Sequence, residues 1–138
     1  LAKSSGIASA SPASLSIFVI VFPVIGFTKG IASAAAVLSA SASLSDAAAT
    51  VIGNFTNVED TNIKSSLAEE IYPDTDIAGE WVTIEVGRLS QEKIEKALKN
   101  GISKAKSICE KGLIKAALVS VKDQVAWTDS LEPVLRKL

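Results

Sequence analysis

Apolar and polar positions divide this chain into two unlike parts. Residues 17–27, IFVIVFPVIGF, form an uncharged run interrupted only by Pro23 and Gly26. A β-branched and aromatic run suits a buried strand as well as a buried helix, and periodicity does not separate the two. Pro23 tips the reading toward a kinked helix, because a central strand would lose a ladder donor there. From residue 30 to 53 the chain is nearly all Ala, Ser and aliphatic. Ile31, Leu38, Ser45 and Ile52 fall seven apart, beside the series Val37, Leu44 and Val51. That spacing predicts a second apolar helix with small flanks, ending at Gly53-Asn54.

The later part follows amphipathic patterns. Val58, Ile63, Leu67 and Ile71 predict a short helix over 58–72, closed by Tyr72-Pro73. Val82, Ile84 and Val86 alternate with Trp81, Thr83 and Glu85, as in a strand. Ser90 reads as an N-cap for a helix carrying Ile94, Ala97, Leu98 and Ile102 inward, with a break at Asn100-Gly101. The helical pattern resumes through Ala105, Cys109, Leu113, Ala117, Val121 and Val125; the alternative makes 119–121 a strand. A last short helix starts at Asp129, with Glu132 as in a capping box and Pro133 in its first turn.

The resulting expectation is a mainly α fold, a helical bundle around a hydrophobic helical hairpin with a small β element near 81–86. The alternative is an α+β fold with β-α-β from 81 to 121. Length supports one domain: an arm over 1–16, the hairpin over 17–53 and a charged body over 58–138. The chain starts at Leu1 without methionine, which suggests a processed or excised product.

Composition narrows the chemistry. The chain has 138 residues, 48% apolar and 21% charged, and a formal net charge of −1, which provides no long-range attraction for nucleic acid. Lysines recur between 93 and 122 with Glu92, Glu95, Glu110 and Asp123 interleaved, as on a solvated helix face. With no histidine and one cysteine, the Ser/His/Asp, Cys/His and HExxH arrangements are excluded, as are an intrachain disulfide and a cysteine-built zinc site. No phosphate loop is present. The balance is against an enzyme, and no cofactor is expected. Cys109 reads as a small buried hydrophobe, with an intermolecular disulfide as the other role.

Candidate sites are few. Asp74, Asp76, Glu80 and Glu85, with Gly79, follow the spacing of a calcium loop, but Ala78 offers no ligand at its fifth position and an Asp-rich turn is the plainer reading. Asn54-Phe55-Thr56 is an N-glycosylation sequon in an expected loop. Gly26, Gly30, Ala34 and Leu38 carry the small-residue spacing of close helix packing, or the turn of the hairpin. Phe18, Ile20, Phe22, Pro23, Ile25 and Phe27 are the expected contacts with membrane or partner.

An eleven-residue helix spans about 16 Å, short of roughly 30 Å of bilayer hydrocarbon. Extending it places Lys29 near its middle, at an insertion cost on the order of 3 kcal/mol. A simple single-span anchor is therefore disfavoured. In architecture alone the layout is similar to membrane-active toxins and to filament subunits. The first expectation is a secreted, toxin-like protein whose hairpin enters membrane lipid. The second is a self-assembling filament or coat subunit that buries the hairpin between copies of itself. A third is a carrier of apolar ligands, with Phe18, Phe22, Trp81 and Trp127 lining its pocket.

Overall fold

The computed structural model describes residues 16–21 and 28–137, the first segment by its backbone. Its elements in chain order are β1 (Ser16–Val21), β2 (Ala34–Ser39), α1 (Ala42–Phe55), β3 (Ile63–Leu67), α2 (Ala68–Ile71), β4 (Trp81–Val86), α3 (Gln91–Glu110), β5 (Ala116–Val121), β6 (Gln124–Trp127), a 3-10 turn (Asp129–Leu131) and α4 (Glu132–Leu135). Strands β1, β2, β5 and β6 form one antiparallel sheet in the order β1-β2-β5-β6, and β3 pairs with β4 in a second sheet. The fold is mixed α/β, which overturns the expected helical bundle. The alternative's order of strand, helix and strand from 81 to 121 is present as β4, α3 and β5, but β4 and β5 belong to different sheets and form no β-α-β unit.

The hydrophobic helical hairpin is not there. Residues 16–21 are strand, and Val21 is the last described residue of β1, so Pro23 constrains nothing within it. Residues 22–27 lie outside the described residues, as does the arm up to residue 15. The expected second helix is a strand followed by a helix. Along β2 burial alternates, with Ala35, Val37 and Ser39 inward, which is the two-residue period of a strand. In a stretch of Ala and Ser both faces are small and weakly polar, so the seven-residue spacing was compatible with a helix that the chain does not form. Ser41 then restarts the backbone. Its side chain accepts a hydrogen bond from the Leu44 amide and caps α1.

Helices α1 and α3 lie side by side on one face of the four-stranded sheet, α1 over β1 and β2 and α3 over β5 and β6. Between them sits the core of Val37, Ala49, Ile52, Ala97, Leu98, Ala105, Val119 and Val121. α3 runs unbroken through Asn100-Gly101, where a break was expected. Gly101 is buried, and a Cβ there would stand 2.9 Å from the Thr56 methyl and 3.6 Å from Val119. The glycine therefore marks a close approach of α3 to the end of α1. The expected helix over 58–72 is largely strand β3, with only the single turn α2 after it.

One hydroxyl joins the sheet to α1. Thr56 Oγ1, buried just past α1, accepts the amides of Ile31 and Ala32, each at 2.9 Å, and donates to the Gly53 carbonyl at 2.6 Å. Asn54 Oδ1 accepts from the Thr28 hydroxyl and the Lys29 amide, both at 2.9 Å. The segment leading into β2 is thus tied to the carbonyl end of α1. Gly30 lies in this seam, and a Cβ there would fall 1.8 Å from the Gly53 oxygen.

Candidate interaction surface

Paired residues of an antiparallel ladder share a face. The registers Ala34 to Ser120, Ala36 to Leu118, Leu38 to Ala116, Leu118 to Trp127 and Ser120 to Val125 therefore define one side of the large sheet. The opposite side carries Ala35, Val37, Val119 and Val121 and is covered by α1 and α3. Neither α1 nor α3 covers the first side, whose edge is met by Glu132 of the short α4. Val125 is 46% exposed and Trp127 42%, both large apolar residues on a β6 whose other residue Ala126 packs on the core. Strand β1 continues the rows, with Val19 registered opposite Ala36 and Ile17 opposite Leu38.

None of the four strands contains an ionisable residue: SIFVIV, AAAVLS, AALVSV and QVAW. The strands of this surface are therefore apolar, and charge reaches it only at the β6 edge, where the Trp127 indole Nε1 donates to Glu132 Oε2 at 2.9 Å. The signal for this face in the sequence is the absence of charge from all four strands, which fits a helix interior as readily as a sheet with two apolar sides.

The other expected sites are placed as follows. Ala34 and Leu38 are on this face, in β2, and Gly30 is in the seam before it, so the spacing Gly30, Ala34, Leu38 packs no helix against a helix. Gly26 lies outside the described residues, and so do Phe22, Pro23, Ile25 and Phe27; Phe18 and Ile20 are in β1. Trp81 and Trp127 stand in different sheets, both exposed. Among the described residues no helix is long and apolar enough to cross a membrane.

The carboxylates of the calcium-like spacing separate. Glu80 pairs with Lys29 at 2.6 Å and Glu85 with Lys64 at 2.7 Å, while Asp74 and Asp76 lie in the exposed turn. Among the described residues no three Asp, Glu or Cys side chains converge to hold a metal ion. Gly79, at φ +86, makes the turn. Its amide donates to Glu69 Oε2 at 2.9 Å, and that bond holds the Glu69 carboxyl below the ordinary glutamate value. Asn54 of the sequon is in the last turn of α1 rather than in a loop, and Thr56 is buried. Cys109 is half-buried on α3, and burial pushes its thiol up, against the opposing hydrogen bond from Ser130.

The class defined by these elements is an antiparallel α/β domain with two helices on one face of its main sheet and an open apolar face on the other. The chain belongs to the AbpE bacteria family, whose model matches residues 26–127, from ahead of β2 to the last residue of β6. No curated protein and no solved structure matches the chain.

Proposed function

We propose that this protein is a self-associating structural subunit that buries the open face of its four-stranded sheet against a second copy. The observation that supports this reading is the face left uncovered by α1 and α3, with no ionisable residue in its strands and with Val125 and Trp127 exposed. A two-fold axis sets each patch against its own copy, so a charge in the strands would meet its like; the strands carry none, and Glu132 at the Trp127 edge is paired with Arg136. The membrane-active alternative relied on a helical hairpin, and the fold supplies strands in that region instead.

Size sets the strength expected of the contact. Four strands about 4.8 Å apart, up to six residues long at about 3.3 Å each, give a flat face of roughly 400 Å² per copy. A standard stable interface takes about 800 Å² per partner. The association is therefore weak and reversible, with a dissociation constant of about 1 μM or above. Sedimentation velocity over a concentration series tests it. A concentration-dependent dimer that Val125→Glu abolishes supports the reading, and a monomer at every concentration defeats it.

A further inference from the structure

Charge is segregated along the chain. Between 59 and 86 there are eight carboxylates and one lysine, a net of −7, whereas residues 96–111 hold Lys96, Lys99, Lys104, Lys106 and Lys111 against Glu110 alone, a net of +4. Six of those carboxylates, with Lys64, lie on the arm made by β3, α2, the turn after it and β4, whereas Glu59 and Asp60 precede β3, where the Lys93 ammonium donates to the Glu59 carbonyl; the second set lies on α3 and its C-cap. Among the described residues no ion pair joins arm to helix: the pairs are Lys29 with Glu80, Lys64 with Glu85 and Arg136 with Glu132. Trp81 opens β4, and α3 begins only after β4 has ended, so the acidic tip is at the end of the arm away from α3. The two surfaces of one copy do not neutralise each other.

Each surface also has a matching shape. Trp81 at the tip is 61% exposed, the most exposed of the large apolar residues described. Beside α3, Phe55, Asn100, Ser103, Lys104 and Ser107 line an open depression of about 350 Å³. The Lys104 ammonium stands 4.7 Å from the centroid of the Phe55 ring, which is itself half exposed. This is an aromatic floor with cations around it.

We propose that the arm tip of one copy docks on α3 of a second, with Trp81 seated in the Phe55–Lys104 depression and the carboxylates of Asp74 and Asp76 facing the lysines. The contact joins two different patches, so it is heterologous and propagates head to tail into rings or open fibres. It is separate from the face-to-face contact proposed above, and the two differ in salt response. Exposed charges are screened over about 8 Å at physiological ionic strength and about 3 Å at 1 M, whereas apolar burial is not weakened by salt.

The test uses the full chain carrying Val125→Glu, which removes the sheet contact and leaves arm and helix intact. Light scattering and sedimentation at 20 mM and 500 mM salt should show oligomers at low salt whose association constant falls at least tenfold at high salt. Asp74→Lys with Asp76→Lys should leave monomers, as should Lys99→Glu with Lys106→Glu. Mixing these two proteins should restore complexes, since the unaltered tip of one then meets the unaltered helix of the other, and the substituted contact positions are again of opposite sign. Monomers at low salt, oligomers indifferent to salt, or a mixture that stays monomeric would each overturn the proposal.

Discussion

An alanine at position 30 tests how the sheet is joined to its helix. Its Cβ would be 1.8 Å from the Gly53 oxygen, 2.5 Å from Thr56 Oγ1 and 2.8 Å from the Gly53 carbon. Two of these atoms are backbone, so no side-chain rotation relieves the clash. The closest ordinary C···O approach is about 3.3 Å, so the segment must retreat by roughly 1.5 Å. That retreat pulls the Ile31 and Ala32 amides from Thr56 Oγ1. Buried donors left without partners cost about 1–3 kcal/mol each, and overpacking adds about 1–3 kcal/mol. A total of about 4 kcal/mol is a large part of the 5–15 kcal/mol of a typical domain. With a urea slope of about 2 kcal/mol/M, the unfolding midpoint followed by circular dichroism should drop by about 2 M. A Gly30→Ala midpoint within about 0.5 M of the parent's would refute the close-approach reasoning.

Further outcomes follow from the same bonds. Thr56→Val keeps the shape but leaves two buried amides unmet, while the Gly53 carbonyl keeps the Thr56 amide; it should cost about 2–4 kcal/mol, with Thr56→Ser recovering most of the loss in the same urea titration. The Gly79 amide resonance should titrate with Glu69 at a midpoint below the ordinary glutamate value of about 4.3, and Glu69→Gln should remove that titration. A carboxyl whose folded pKa is depressed gives full stabilisation above the unfolded value and loses it as pH falls through the folded one, so the bond should loosen only on the acid side. Cys109, half-buried with its thiol pushed up by burial, should react with iodoacetamide at pH 8 several-fold more slowly than in urea-unfolded chain; equal rates would contradict that environment.

How far the sequence reveals this fold depends on the polarity contrast within each segment. Trp81–Val86 alternates apolar with polar residues, and its two-residue period is legible. Ser90 and the stripe Ile94, Ala97, Leu98 mark the start of α3, and Ser90 does accept the Lys93 amide. Between 30 and 53 there is no such contrast. Ala and Ser fit either face of either element, so the spacing of a few aliphatics suggested one helix where Ser39 ends a strand and Ser41 caps a helix. Asn100-Gly101 misled for another reason. A glycine chosen for close packing against Thr56 looks, in sequence, like one chosen for a turn. The open sheet face is legible only as an absence of charge, because β2 pairs with β5 across some eighty positions of chain.

The central claim concerns that face, and sedimentation equilibrium of the parent chain beside Val125→Glu and Trp127→Lys tests it most directly. At high salt, where the charged head-to-tail contact is screened, the parent should follow a monomer–dimer equilibrium with a dissociation constant of about 1 μM or above. Under the same high-salt condition both variants should stay monomeric with unchanged circular dichroism. A parent that is monomeric throughout, or folded variants that dimerise as well as the parent, would contradict the account.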